Sequence, residues 1–125
     1  MKPYVFPFEK LEVWKEARAY VREIYETTAS FPSNEQFGLT AQIRRAAVSV
    51  SSNIAEGDGR FSTKDQLRFF TLSWSSLMEV FNQLIIAHDL GYIPEEELDR
   101  FRSLTSSLAN KLNALYKYRQ KHGSQ

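Results

Sequence analysis

The chain has 125 residues, of which 42% are hydrophobic, 14% aromatic and 25% charged. This length and composition fit a single folded domain with its own core and exclude a disordered chain. There are no cysteines, which excludes disulfides, thiolate metal sites and cysteine nucleophiles. Sixteen basic residues against fifteen acidic ones give a net charge of +1, which argues against a strongly electrostatic ligand such as bulk nucleic acid.

No segment of the sequence is typical of a membrane protein or a secreted one. No stretch approaches the roughly 20 apolar residues that a membrane span needs. The first residues, Met1 to Tyr4, lack the apolar region of a signal peptide. We therefore expect a cytoplasmic protein with no membrane partner.

Prolines and glycines divide the chain into four long segments, each too long for a typical strand. Capping patterns mark helix starts, with Ser33 three residues before Gln36 and Pro94 before three glutamates. Gly57 and Gly59 are expected to close the second helix with positive φ angles. The position of Gly38 leaves open whether that helix begins at 33 or near 39. Because short junctions make neighbouring helices antiparallel, the sequence predicts an all-α, antiparallel up-down-up-down four-helix bundle. The predicted helices cover about 8–31, 33–57, 62–90 and 94–121, with tails at 1–7 and 122–125.

Each predicted helix carries an apolar stripe at helical spacing, as a bundle helix requires. The stripes comprise Trp14, Ala17, Val21, Ile24, Thr28 and Phe31; Leu39, Ile43, Ala46, Val50 and Ile54; Leu67, Phe70, Trp74, Leu77, Phe81, Leu84 and His88; and Leu98, Phe101, Leu104, Leu108, Leu112 and Leu115.

The second and third helices carry a further stripe of small or apolar residues on another side. One bundle chain needs only one buried stripe per helix, and small residues allow helices of different chains to approach closely. The sequence therefore predicts self-association, although these residues could also be ordinary surface positions. The predicted oligomer interface consists of Phe69, Ser73, Ser76, Val80 and Ala87 of the third helix, with Ala41, Val48 and Ala55 of the second.

The chain shows no pattern of catalytic, cofactor or metal-binding residues. A di-iron bundle needs Glu-x-x-His on two helices, but Ile85 and Arg119 stand three residues before the two histidines. The segment 57–59 resembles a phosphate-binding turn, yet no strand precedes it. We predict no catalytic residue, no metal and no cofactor, and hence no enzyme.

Basic residues cluster in the sequence despite the small net charge. From Arg100 onward there are six basic residues and no acidic one, and Arg44 and Arg45 are adjacent. Repeated around an oligomer, such patches could bind a polyanion. A solvated surface balanced by acids elsewhere is the alternative explanation.

A series of motifs resembles the four-helix-bundle family named for proteins encoded in intervening sequences of bacterial 23S ribosomal RNA genes. The motifs are Phe8-x-x-Leu11-x-Val13-Trp14-x-x-Ala17, Phe31-Pro32-x-x-Glu35, Gly38-Leu39-x-x-Gln42-x-Arg44-Arg45-Ala46-Ala47, Asn53-Ile54-Ala55-Glu56-Gly57-x-Gly59-Arg60, and Gln83-Leu84 with Leu90-Gly91-Tyr92. The resemblance implies a homopentamer with no assigned enzymatic activity. A related branch, the accessory proteins of diversity-generating retroelements, is strongly basic and binds nucleic acid and a reverse transcriptase, whereas this chain is nearly neutral.

Five polar motif residues are candidates for a cluster at the junction of the second and third helices or between subunits. They match the family's polar and basic positions: Arg44, Arg45, Asn53, Glu56 and Arg60. Glu56 lies at the C-terminal end of a helix dipole, where a carboxylate needs a compensating cation. Two functions follow: a self-associating scaffold that binds a partner protein, or an RNA- or DNA-binding accessory protein that uses basic patches.

Overall fold

The computed structural model describes residues 2–123, which form four long helices and no strand. The helices are α1 (Glu12–Thr28), α2 (Leu39–Asp58), α3 (Thr63–Asp89) and α4 (Glu95–His122). Short 3₁₀ helices at Pro7–Lys10 and Ser33–Glu35 precede α1 and α2. Each helix packs on its two neighbours around the bundle, α1 and α3 each contacting both α2 and α4. The predicted all-α, antiparallel up-down-up-down four-helix bundle is confirmed.

The first helix is shorter than its breaker-free segment. Leu11 is extended, with φ −72° and ψ 127°, and separates the 3₁₀ helix from α1. Helix α1 therefore begins at Glu12 instead of residue 8, and it ends at Thr28, before Pro32.

Helix α2 takes the later of its two predicted starts, and a carboxylate defines that start. Glu35 accepts hydrogen bonds from the backbone N–H of Leu39 at 3.0 Å and from the Tyr92 hydroxyl at 2.8 Å. These two hydrogen bonds hold the pKa of Glu35 below its usual value, and the bond from Leu39 has the larger effect. A Cβ on Gly38 would lie 2.7 Å from Oε1 of Glu35, so a larger residue there would disturb this cap.

Gly57 has a different role from the predicted one. Among residues 2–123, only Gly91 and Gly123 have positive φ angles, so neither Gly57 nor Gly59 closes α2 in that way. Gly57 is buried inside α2, where an added Cβ would lie 2.7 Å from the Phe70 ring and 3.0 Å from Cβ of Phe69. The missing side chain lets α2 and α3 approach closely.

The core receives side chains from all four helices, with Ile24, Ile43, Leu84 and Leu108 completely buried. Several predicted core residues lie only partly buried at its edge, and Trp74 is 39% exposed. The partly buried residues include Trp14, Val21, Leu39, Leu67, Phe81, Leu104 and Leu115. A buried polar pair joins α1 to α4, since the Tyr20 hydroxyl and the Thr105 hydroxyl are 2.7 Å apart. Burial raises the pKa of Tyr20 to about 12.

Candidate interaction surfaces

Four of the eight predicted interface residues are buried inside the single chain. Phe69 is 7% exposed, and Ser73, Val80 and Ala87 are fully buried. The Ser73 hydroxyl donates a 2.7 Å hydrogen bond to the carbonyl oxygen of Val50, which places this side of α3 against α2. The assignment of these four residues to an interface between chains is therefore corrected. A helix packed between two neighbours of its own bundle buries a wider arc than one narrow stripe.

The other four predicted interface residues lie at the surface or in the crease between helices. Ser76 is half-buried and donates to the Ser49 hydroxyl at 3.0 Å. Ala41 and Ala55 are partly exposed, and Val48 is 40% exposed. A contact between these residues and a second chain stays a prediction.

The outward side of α3 carries several exposed large apolar side chains and was not recognised from the sequence. We define the outer face of α3 as five residues that are 38% to 42% exposed: Leu72, Trp74, Met78, Ile85 and Ile86. Between Arg68 and Asp89, Glu79 is the one Asp, Glu, Lys or Arg in the sequence. That long run with a single charged residue was the signal that could have identified this face, because an exposed helix side usually carries charged residues.

Helix α1 is charged, in contrast to α3. Seven of its 17 residues are Asp, Glu, Lys or Arg. Exposed ion pairs of α1 join Lys15 to Glu12 at 3.3 Å and Arg22 to Glu26 at 3.6 Å. The bundle therefore has a charged side on α1 and an apolar, nearly uncharged side on α3.

The structure does not bring together the five residues of the predicted polar cluster. Arg44 turns toward α1, where its Nε donates to the Thr28 hydroxyl at 2.8 Å and its guanidinium lies over the Tyr25 ring. Asn53 donates to the Ser49 carbonyl oxygen at 2.9 Å. Both are packing contacts between or within helices.

The remaining members of that set lie apart as well. The Arg60 guanidinium stacks over the Phe69 ring, 4.3 Å from its centroid. Glu56 and Arg45 are exposed. No ion pair between residues 2 and 123 involves Glu56 or Arg60, so the cation expected to compensate Glu56 is not supplied within one chain. A partner for Glu56 in another subunit stays a prediction.

The helix 2–3 junction does hold a polar cluster, made of other residues. Arg119 of α4 contacts Asp58 Oδ1 at 2.7 Å and donates to Gln66 Oε1 at 3.0 Å. Gln66 in turn donates to the backbone carbonyl oxygen of Arg60 at 3.0 Å. The side chains of Arg119 and Asp58 are mostly buried, so this cluster attaches the end of α4 to the junction. No local pattern could indicate it, because Asp58 and Arg119 are far apart in sequence.

Three of the six basic residues after residue 99 are paired with carboxylates. Arg100 contacts Glu23 at 2.7 Å and Glu97 at 2.8 Å, and these contacts connect α4 to α1. The pKa of Glu97 is lowered to about 2, mainly because its carboxylate accepts hydrogen bonds from Arg100. Lys111 contacts Glu16, and Arg119 contacts Asp58. The acid-free run in the sequence is therefore partly neutralised in the fold.

Neither a metal site nor a membrane-spanning helix is found among the described residues. Within residues 2–123, no three His, Asp or Glu side chains converge in a way that could hold a metal ion. None of the helices formed by these residues combines the length and apolarity required to cross a bilayer.

The fold and its surfaces define a helical bundle with an apolar outer face and a charged opposite side. The family described as "23S rRNA-intervening sequence protein" matches residues 9–114, and the chain belongs to this family. A solved structure from Bacteroides thetaiotaomicron VPI-5482, described as a protein with unknown function from the S23 ribosomal protein family, has the same fold. It is 18% identical, with a TM-score of 0.77, and the match covers 84% of this chain and 95% of that one. Comparison with curated proteins gives no match.

Proposed function

We propose that this chain is a non-enzymatic bundle that assembles with copies of itself and acts as an interaction scaffold. The resemblance to the intervening-sequence family adds the expectation of five chains per assembly. The proposal depends on one observation, the outer face of α3.

The outer face of α3 supports self-association because the exposure of its apolar side chains to water is less favourable than their burial. Burial of apolar surface stabilises by about 25 cal/mol per Å². Large apolar patches on a soluble chain mark interaction sites. A stable interface buries about 800 Å² per partner. The 27-residue helix α3 offers a long surface for such a contact.

Charge substitution on this face tests the assembly. We expect the unmodified protein to have a mass of several chains of 14.5 kDa in size-exclusion chromatography with light scattering. Ile86→Glu places a carboxylate in the proposed interface, where desolvation opposes its burial. This variant should run as a smaller species at the same concentration while its helical circular dichroism is unchanged.

The matched control is Ala19→Glu, which adds the same charge at an exposed position of the charged helix α1. It should keep the full assembly mass. A monomeric unmodified protein at micromolar concentration would contradict the proposal. Equal loss of assembly in both variants would show that the effect is not specific to α3.

Nucleic-acid binding is the second candidate, supported by three exposed basic residues. Arg45, Lys64 and Lys117 take no part in the ion pairs of residues 2–123. A labelled single-stranded RNA should then shift in a gel at about 50 mM salt and lose affinity steeply as salt rises. The absence of a shift at low salt would exclude this candidate.

A further inference from the structure

We propose that the N-terminal arm of one copy docks on a neighbouring copy, with Tyr4 filling a pocket between α3 and α4. We define the arm as residues 2–6. The α3–α4 pocket is lined by Phe70, Thr71, Trp74, Leu112, Asn113 and Tyr116. This inference rests on the proposed self-association and specifies which surfaces meet.

The arm presents aromatic rings to solvent in an ordered arrangement. Tyr4 is 74% exposed and Phe6 is 56% exposed, with their ring centroids 4.9 Å apart in an edge-on contact. The row continues through Phe8 to Trp14, whose rings are 5.0 Å apart. The backbone N–H of Phe6 donates to Glu9 at 2.8 Å and fixes the base of the arm. Such preorganisation lowers the entropy lost on binding.

The pocket has the size and chemistry for one tyrosine side chain. Its volume is about 220 Å³, below the range of about 300–1,000 Å³ that is usual for small-molecule sites. Phe70, Trp74 and Leu112 supply apolar walls, and Asn113 at the exposed rim can bond a phenolic hydroxyl. Aromatic residues that fill such pockets are the usual anchors of protein interfaces.

The base of the arm and the pocket lie at the same end of the bundle, and the 3₁₀ helix that follows the arm packs on the side of α1 and α2. Pro7, next to the arm, shares a surface hollow with Asp58 and Arg119, near the ends of α2 and α4. The pocket lies about two helical turns from that end. The 3₁₀ helix after the arm packs on α1 and α2, whereas the pocket lies between α3 and α4.

This arrangement suits a closed ring. In such a ring, the copies are related by rotation about an axis parallel to the bundle, and this rotation does not change the height of a residue along the axis. The arm of one copy can therefore meet the pocket of the next copy, since both lie toward the same end. A head-to-tail contact of this kind needs two different surfaces on opposite sides of the chain. Two different surfaces also allow an odd number of copies, as the family resemblance implies.

The proposed contact continues from the pocket onto the outer face of α3. Each aromatic side chain buries about 150–250 Å², so the arm supplies part of an interface of about 800 Å² per partner. Trp74 belongs both to the pocket and to the outer face of α3, which makes the two surfaces continuous.

Site-specific cross-linking tests the contact, because the chain has no cysteine of its own. Two single variants, Val5→Cys and Asn113→Cys, are purified separately, mixed, allowed to exchange subunits and oxidised. Val5→Cys leaves Tyr4 in place, and separate chains exclude a bond within one copy. We expect a disulfide-linked dimer in the mixture and none with either variant alone. The matched control replaces Asn113→Cys with Ser103→Cys, an exposed position in the N-terminal half of α4, about 15 Å along the helix from Asn113.

The outcomes separate this inference from the proposed function. If light scattering shows an assembly but the mixture gives no more cross-linking than the Ser103 control, this inference is overturned and self-association stands. A dimer formed by Asn113→Cys alone indicates a symmetric contact and also overturns it. A monomeric unmodified protein overturns both.

Substitution of the anchor gives a second measurement. Tyr4→Ala should weaken assembly roughly tenfold or more in the dissociation constant, as hot-spot residues do. Tyr4→Phe should retain most of the affinity because the ring still fills the pocket. Phe37→Ala is the control, since Phe37 is 91% exposed in the loop between α1 and α2. Equal affinities of Tyr4→Ala and the unmodified protein would overturn the assignment of Tyr4.

Discussion

Gly57 sets the distance between α2 and α3. Its position faces Phe69 and Phe70, both buried, so neither ring can move aside freely when a side chain is added at 57. Part of the family motif Asn-Ile-Ala-Glu-Gly is therefore a packing requirement. Glu35, from the motif Phe31-Pro32-x-x-Glu35, also has a structural role. Its carboxylate joins the start of α2 to Tyr92, which follows α3 in the chain. At the scale of single residues, these motif positions hold the bundle together.

Gly57→Ala should destabilise the protein despite the better helix propensity of alanine. The propensity gain is up to about 1 kcal/mol, whereas overpacking a tight core contact costs about 1–3 kcal/mol. We expect a net loss of about 1–2 kcal/mol in the free energy of unfolding, measured by urea titration. Gly59→Ala is the control, since the nearest atoms to its Cβ would be at 3.6 Å, and it should change stability by less than about 0.5 kcal/mol. A Gly57→Ala protein as stable as the Gly59→Ala protein would contradict the packing role.

Helix α4 is joined to α1 by Arg100, which contacts Glu97 on its own helix and Glu23 on α1. Glu97 also accepts a hydrogen bond from the Thr27 hydroxyl at 2.7 Å, so the carboxylate itself bridges the two helices. Its pKa falls from the ordinary 4.5 to about 2 in the folded protein. A carboxyl whose pKa is lowered by folding stabilises the fold above pH 4.5 and loses that contribution as the pH falls toward 2.

Glu97→Gln should therefore reduce stability at neutral pH more than in acid. Because Glu97 is partly exposed, we expect a loss of about 1 kcal/mol or less at pH 7. The difference from the unmodified protein should shrink between pH 4.5 and 2, as measured by urea unfolding across that range. Glu96→Gln removes the same charge at the neighbouring exposed position, outside the contacts of Arg100 and Thr27, and is the matched control. A difference for Glu97→Gln that is constant with pH would contradict the assignment.

The four helices could be predicted because proline and glycine stand near their junctions and an apolar stripe runs along each segment. The start of α2 could not be fixed, since its cap is completed by Tyr92, 57 residues from Glu35. Periodicity also failed to separate the two kinds of apolar surface on α3. It identifies the sides that avoid water, but it does not tell whether the same chain or another covers them. Ser73 and Val80 consequently appeared available for a partner although α2 covers them.

At the scale of the whole molecule, charge is distributed unevenly among the helices. Ion pairs are concentrated on α1 and at its contacts with α4, whereas the segment of α3 between Arg68 and Asp89 has Glu79 as its one charged residue. The net charge of +1 conceals this division. The charged outward side of α1 remains hydrated in an assembly, whereas the outer face of α3 and the N-terminal arm are the surfaces that association would cover. The polarity of the bundle thus gives the proposed scaffold a defined orientation.

Association through the outer face of α3 should make thermal stability depend on protein concentration. An assembly that forms only from folded chains draws the equilibrium toward the folded state, so Tm rises as concentration rises. We expect Tm, followed by circular dichroism, to increase by several degrees between about 1 and 100 μM. Ile86→Glu should melt at the same temperature at both concentrations, whereas Ala19→Glu should keep the increase. If Tm of the unmodified protein does not change over this range, its fold is independent of association and the outer face of α3 needs another explanation.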